Sequence, residues 1–554
     1  MTKTQFRTKF GENIFRYKYA QNPDDNWDKL AERLVEDVCG TRWGTQTALM
    51  SKEDRKQLVE YIRKFQFLPG GRYLYYAGRP FHAYNNCYLL RAEEDTREEW
   101  GQLAHKAMSC LTTGGGIGID YSILREKGAE LKRTGGTASG PIPLMEAVNE
   151  IGRRVMQGGS RRSAIYASLS MHHPDVNDFL HIKDWAKMEV AGTGGLTVAD
   201  LKQADFNYHA PLDMTNISVN YDDAWGFDPN NPVFLENCRQ ALMTGEPGFS
   251  FNFGKKQNET LRNACTEVTS EDDSDVCNLG SVNLGNIQSL EEFTAVVHLA
   301  SKFLVCGTLR ADLPYEKVYK VREKNRRLGL GLMGIHEWLM QRGKKYEVDD
   351  ELKQWLQVYE SESEKSANEH CDRFYLSRPA AYRAIAPTGS IGILAGTTTG
   401  IEPLFAVAYK RRFLTEGTKW KYQYVVDGTA QSLIEQYGAD PDKIESALDL
   451  SGDYERRIKF QADIQDYVDM SISSTINLPA WGSKENNPER VESFAKTLAK
   501  YAPRLRGFTC YPDGSRGGQP LTPVPYSEAI KHKDTIYDEV IDVCSLTGGG
   551  TCGS

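Results

Sequence analysis

Five residues, Asn263-Ala264-Cys265-Thr266-Glu267, set an amide, a thiol and a carboxylate at alternate positions. Strand-like alternation would point all three side chains the same way, placing a sulfur radical or nucleophile beside a base and a neutral hydrogen-bond donor. Short runs of this kind also arise by chance, and without further context a buried cysteine between two solvated polar residues is the better reading. Cys277 follows twelve residues after Cys265, and Cys87 stands in Asn85-Asn86-Cys87-Tyr88, a run that by itself reads as a core cysteine.

Three other kinds of segment carry chemistry. Pro387-Thr388-Gly389-Ser390-Ile391-Gly392 can aim successive backbone N–H groups and two hydroxyls at an anion if a helix starts there; from these six residues alone, an ordinary strand-to-helix turn is the better reading. Gly114–Gly118 and Gly135-Gly136-Thr137-Ala138-Ser139-Gly140 are glycine-rich runs with neither a dinucleotide fingerprint nor a P-loop, so flexible connections are the default reading. Gln157-Gly158-Gly159-Ser160-Arg161-Arg162-Ser163 joins a flexible loop to two arginine forks suited to phosphate, carboxylate or a stacked base. Near the end, Cys544 and Cys552 flank three consecutive glycines, a composition that predicts a flexible thiol-bearing tail.

These segments need a scaffold. At 554 residues, with 40% hydrophobic and 26% charged residues, the chain reads as an ordinary globular protein of one large domain or a few smaller ones. The net charge of −8 argues against a nucleic-acid surface. No apolar stretch reads as a membrane span and the N-terminus has no signal-peptide pattern, so a cytoplasmic protein is expected. Eleven cysteines without a C-x-x-C pair predict neither a disulfide scaffold nor a metal site.

Helical spacing of apolar residues covers 26–66, and Leu68-Pro69-Gly70-Gly71 ends that region. From about 71 to 480, helical stretches alternate with short β-rich runs such as Ile117–Asp120, Thr215–Val219 and Gly329–Leu332, which predicts an α/β architecture. Residues 484–505 read as a charged amphipathic helix, and Gly507–Tyr511 as a final strand.

Taken together and in order, the segments resemble the catalytic subunit of ribonucleotide reductase from about residue 68 to 520. The most specific are NACTEV (263–268), CNLGSVNL (277–284), NRRLGLGLMG (325–334) and PTGSIGILAGTTTGIEPLF (387–405). The resemblance implies a ten-stranded α/β barrel of two five-stranded halves with a central finger loop. It divides the chain into N-terminal helices (1–70), the catalytic barrel (71–520) and a C-terminal segment with a redox tail (521–554).

It also implies roles. Cys265 would carry a thiyl radical, Glu267 would be the base on the substrate 3′-hydroxyl, and Asn263 would hold the ribose. Cys87 and Cys277 would be the reducing pair. Pro387, Thr388, Gly389, Ser390 and Ile391 would bind substrate phosphates. Gly135, Gly136, Gln157, Gly158, Gly159, Arg161 and Arg162 would belong to loops that read a dNTP or ATP effector. Cys544 and Cys552 would pass electrons from thioredoxin or glutaredoxin, and a homodimer is expected. The chemistry is coherent: a radical at the 3′ carbon eases loss of the 2′-hydroxyl as water, a carboxylate takes the 3′-hydroxyl proton, and two thiols supply the electrons.

Branches of this family differ in the radical source. Phe508-Thr509-Cys510-Tyr511 has one tyrosine where relay from a separate metal subunit uses two adjacent ones, and GFTCYPDGSRGG resembles the adenosylcobalamin-dependent branch. Adenosylcobalamin is therefore the expected cofactor and a ribonucleotide the expected substrate. The alternatives are a radical-accepting large subunit that needs a metal-containing partner and, in another class, a non-catalytic nucleotide-binding regulator.

Overall fold

A computed structural model describes residues 5–41, 47–155, 163–205, 208–415, 419–515, 521–533 and 535–538. Its strands, in chain order, are β1 (Phe67–Pro69), β2 (Cys87–Arg91), β3 (Gly116–Asp120), β4 (Ile165–Ser170), β5 (Thr215–Tyr221), β6 (Gly248–Phe251), β7 (Leu261–Arg262), β8 (Thr269–Ser270), β9 (Asp275–Asn283), β10 (Leu328–Met333), β11 (Ala408–Thr415), β12 (Lys419–Val426), β13 (Thr475–Leu478), β14 (Gly507–Pro512), β15 (Leu521–Pro523) and β16 (Ile536–Asp538).

Ten of these strands belong to one sheet. The first half of the barrel is a parallel run, β2-β3-β4-β5-β6. The second half is also parallel: β9 with β10, then the bridges Leu330–Arg383 and Ile385–Ile472, then β13 with β14. The halves meet antiparallel at two seams, β2 against β9 and β6 against β14, which closes the ring; β1 adds antiparallel to β9. The expected barrel of two five-stranded halves is therefore present. Because the halves run in opposite directions, the N-terminal ends of the first five strands share a mouth with the C-terminal ends of the second five.

Helical crossovers cover the strands on the outside, so the strands are buried on both faces. All nine residues of β9 are buried, polar ones included. Their cost is offset by internal hydrogen bonds: Asn278 Nδ2 donates to Tyr73 Oη at 2.6 Å, and Asn283 Nδ2 to the Phe65 carbonyl at 2.9 Å. The crossover from β9 to β10 contains the helix Leu290–Arg310, capped by Ser289 Oγ accepting from Glu292 N. This helix is long and apolar enough to cross a membrane, which corrects the expectation that no stretch is; 67% of its apolar window is buried inside the fold, as suits a core helix.

Several other element readings shift. The 26–66 region is two helices, Trp27–Cys39 and Lys52–Arg63, and the charged helix narrows to Val491–Tyr501 between 3-10 turns. β14 is not the last strand: β15 and β16 follow and flank the β11–β12 hairpin in a four-stranded antiparallel sheet. Strand β3 bears out the β-rich reading of Ile117–Asp120 and adds Gly116, so the glycine-rich run 114–118 is a flexible connection at most over its first residues.

Candidate active site

The NACTEV run does not form a strand. It is the tip of a hairpin whose stems, β7 and β8, pair Leu261 with Ser270 and Arg262 with Thr269. Thr266 N closes the tip on the Asn263 carbonyl at 3.0 Å, and Thr266 takes φ 71°. Asn263 and Glu267 flank the tip and are buried, while Cys265 at its apex is exposed. The three functional groups thus meet through a turn, not through strand alternation.

The hairpin is inserted along β3 in antiparallel step. Thr260 Oγ1 donates to Asp120 Oδ2 at 2.6 Å; a Cβ added to Gly118 would lie 1.6 Å from the Arg262 carbonyl oxygen; one added to Gly116 would lie 3.1 Å from Ala264 Cβ. Each step of two along the hairpin is a step of two back along β3. Glycine at 118 is what lets a backbone lie against the inner wall of the barrel. Arg262 anchors the stem, donating to Asn252 Oδ1 at 2.8 Å and to the carbonyls of Arg506 at 3.1 Å and Phe251 at 3.3 Å. The sequence reading missed Gly116, Gly118 and Arg262; the glycine alternation within an apolar run was the one available signal.

Under the tip lie the other two thiols. Cys87 and Cys277 are direct cross-strand partners at the β2–β9 seam. Opposed residues in an antiparallel pair have Cα atoms about 4.5–5.5 Å apart, inside the range a disulfide spans. Gly329 leaves room for the Cys277 sulfur, which would stand 3.1 Å from a Cβ there. Asn263 Nδ2 donates to Cys87 Sγ at 3.1 Å, and Cys87 Sγ faces Glu267 Oε1 at 3.9 Å. Burial first, then the Glu267 charge and the neighbouring sulfurs of Cys277 and Cys265, push the Cys87 thiol well above its ordinary range. Burial, with Asp275 and Glu267, does the same to Cys277. Both are held as thiols, the form that can donate hydrogen.

Burial pushes the Glu267 carboxyl up to about 7, opposed by hydrogen bonds from Asn263 and Cys87. Its Oε2 is buried and has no partner, and the same holds for Oδ1 of Asn85 and of Asn86 beside Cys87 and for Ser471 Oγ. Buried acceptors without partners are costly unless a ligand meets them. Ser471 N donates to the Glu267 carbonyl at 2.9 Å, so Ser471 is a further site residue that no motif flagged. As the base that the family resemblance implies, Glu267 would have to be ionised, which it is above about 7. We therefore expect kcat/KM to rise about tenfold per pH unit below that point and to level off above it. Glu267→Gln should remove this acidic limb and lower kcat by about 10²–10⁴. A pH–rate profile of both proteins checks this; an identical limb in the variant would assign it elsewhere.

Pro387 follows the Arg383–Ile385 segment at the same mouth as the hairpin tip. Thr388, at φ 51°, turns the chain into the helix Gly389–Ala395, and its Oγ1 accepts from Gly400 N at 2.8 Å. Pro387 and Gly389 line a cavity of about 770 Å³ shared with Thr8, Arg411, Tyr424, Ser473 and Asn477. No atom approaches within 4 Å of a Cβ position on Gly389. Ser390 lies beside Lys18, whose Nζ donates to Ser390 Oγ at 3.3 Å, and Ile391 is buried behind it. Tyr511 is half-buried and in register with cavity-lining Asn477. Cys510 faces the opposite way, its Sγ donating to the Ala241 carbonyl at 3.4 Å in the helix layer.

The remaining candidates are not brought here. Gly135 and Gly136 form an exposed turn after the C-terminal end of β3, away from the Gly116 end where the tip stands. Gln157, Gly158, Gly159, Arg161, Arg162, Cys544 and Cys552 lie outside the described residues.

A family model described as the barrel domain of ribonucleotide reductase matches residues 85–223, 236–362 and 377–502. The chain belongs to the ribonucleotide reductase family. It is 26% identical to a vitamin B12-dependent ribonucleoside-diphosphate reductase of Mycobacterium tuberculosis, over 88% of this chain and 76% of that protein. It is 27% identical to a putative adenosylcobalamin-dependent ribonucleoside-triphosphate reductase of Mycobacterium phage D29, over 79% and 72%. A solved B-12-dependent (class II) ribonucleotide reductase superposes with a TM-score of 0.70 at 17% identity, covering 96% of this chain and 95% of that one. In this reductase barrel, the finger loop expected from the sequence is the β7–β8 hairpin.

Proposed function

We propose that the protein reduces ribonucleoside di- or triphosphates to 2′-deoxyribonucleotides with adenosylcobalamin as radical source. The observation that carries the reading is the exposed Cys265 apex held over the facing Cys87–Cys277 pair. Cys265 takes the hydrogen from the ribose 3′ carbon. Glu267 accepts the 3′-hydroxyl proton on its unpartnered Oε2, and Asn263 orients the ribose. Cys87 and Cys277 supply two hydrogens as water leaves the 2′ carbon, and become a disulfide. The Pro387–Ile391 turn holds the phosphates at the mouth.

The character of the cavity lining suits one face of adenosylcobalamin. Its corrin carries amide side chains around an apolar ring, and the cavity wall mixes Gln423, Asn477, Ser473 and Thr475 with Leu404 and Val425. Ser473 is two residues from Ser471, which bonds the Glu267 carbonyl, so cavity and hairpin are joined through one strand segment. When bound, the cofactor supplies an organic radical by homolysis of its cobalt–carbon bond. Cys510 in place of a second tyrosine, turned away from the mouth, supports a radical made locally instead of relayed. In the same reading the chain is a cytoplasmic homodimer, with N-terminal helices over 1–70, a barrel over 71–520 and a C-terminal segment over 521–554. Its Gly135–Gly136 and 157–162 loops read a nucleotide effector, and Cys544 and Cys552 draw electrons from thioredoxin or glutaredoxin.

The test is an assay of the purified protein with adenosylcobalamin, dithiothreitol and the four ribonucleotides. Deoxynucleotide is expected without any added protein. Its absence, with formation restored by a metal-containing partner subunit, would sink the cobalamin assignment.

A further inference from the structure

The catalytic reading leaves a second thiol cluster unused. Cys39 ends the helix Trp27–Cys39, Cys306 sits in the last turns of Leu290–Arg310, and His370 in the last turn of Asp350–Arg373. All three are buried where these helices meet. Cys306 Sγ lies 3.3 Å from His370 Nε2 and donates to the Leu49 carbonyl at 3.9 Å, while Met50 N donates to the Cys39 carbonyl at 3.0 Å, so both cysteines border the same Leu49–Met50 step of chain. Arg310, one turn beyond Cys306, donates to the carbonyls of Val38 at 3.3 Å and Gly40 at 2.6 Å, on either side of Cys39. Among the described residues no group of His, Cys, Asp or Glu has metal-holding geometry, so the chemistry left to this cluster is that of sulfur.

We propose that Cys39 and Cys306 are a peroxide-reactive pair that closes to a disulfide, with His370 as its positioning residue. Most buried cysteines are inert because nothing stabilises a thiolate. Here burial opposes ionisation of Cys306, but hydrogen bonds from Cys39 and His370, with the Arg310 charge, outweigh it and hold that thiol below its ordinary range. Burial pushes Cys39 well above its own. The cluster therefore carries one nucleophile and one thiol beside it.

The reaction balances. The Cys306 thiolate attacks one oxygen of hydrogen peroxide; the O–O bond breaks, an S–O bond forms, and the leaving hydroxide takes up the proton that Cys306 had released, giving water and a sulfenic acid. The Cys39 sulfur then attacks the Cys306 sulfur; the S–O bond breaks, the S–S bond forms, and hydroxide leaves with the Cys39 proton as a second water. Two thiols lose two electrons and one peroxide gains them. Arg310 ties the turn after Cys306 to the carbonyls on either side of Cys39, so little backbone movement is needed to bring the two sulfurs together. The new bond ties the helix Trp27–Cys39 to the crossover that follows β9, the strand carrying Cys277.

The experiment exposes the whole protein to hydrogen peroxide without cobalamin or nucleotide, alkylates it and maps its peptides, so its outcome is independent of the catalytic reading. A peptide joined through Cys39 and Cys306 is expected. His370→Gln should form it about tenfold more slowly. Cys39→Ser, a near-isosteric change that serves if the histidine variant does not fold, should stop at oxidised Cys306. Recovery of both as alkylated thiols, or of Cys306 as sulfinic acid beside a Cys39 thiol in the unsubstituted protein, would overturn the proposal. An unchanged rate in His370→Gln would remove the histidine from it.

Discussion

Replacing Cys265 by serine is expected to lower kcat by at least about 10⁴-fold while leaving nucleotide affinity within a few-fold of the parent. A thiyl radical can take hydrogen from ribose because its S–H bond is comparable in strength with the C–H bond broken. A serine hydroxyl offers no such carrier, since its O–H bond is far stronger and no radical would rest there. Structure should be nearly unaffected: Cys265 is exposed at a turn whose closing hydrogen bond is made by backbone atoms of Asn263 and Thr266. Single-turnover assays with equilibrium dialysis of substrate separate the two effects. A variant that keeps more than a few per cent of the parent rate would remove Cys265 from the radical role.

The second large effect is expected from a residue that touches no substrate. Gly118→Ala puts a Cβ 1.6 Å from the Arg262 carbonyl oxygen, a distance no non-bonded pair of atoms tolerates. Either β3 or the hairpin stem must move by more than an ångström. Displacing a reacting group by about 1 Å costs about 10²-fold in rate, and overpacking costs about 1–3 kcal/mol in stability. We expect kcat to fall by about 10²-fold or more, with a lower Tm and retained phosphate binding at the Pro387–Ile391 turn. Gly101→Ala is the matched control: no atom lies within 4 Å of its Cβ position, and rate and Tm should hold or improve. Equal behaviour of the two variants would mean that the hairpin is not seated against β3.

The contrast between these residues explains what the sequence made readable. Cys265, Glu267, Cys277 and the Pro387–Ile391 turn lie in compact runs that taken singly read as ordinary core or turn residues, and it is their order along the chain that completes the family pattern. Alternating helical and β-rich runs likewise indicate α/β layering. Gly118 gains its meaning from Arg262, and the Cys87–Cys277 pairing from a strand register; both depend on contacts between distant parts of the chain that local periodicity does not encode. The strand-like alternation expected for Asn263–Glu267 fails because a turn at Thr266, with its positive φ, was not signalled by a glycine or proline. The β11–β12 hairpin went unread although KWKYQYVV alternates, since its lysine-rich face masks the apolar one. Leu290–Arg310 went unread as an apolar helix because scattered charged residues interrupt it at both ends.

In the proposed reaction two electrons leave Cys87 and Cys277 for each deoxynucleotide made. It is tested most directly in the Cys544→Ser, Cys552→Ser protein, mixed with adenosylcobalamin and substrate without external thiol, quenched with an alkylating agent and mapped. The expected result is a peptide joined through Cys87 and Cys277 that accumulates in step with product, after which turnover stops. Deoxynucleotide formed while both cysteines are recovered as alkylated thiols would contradict it.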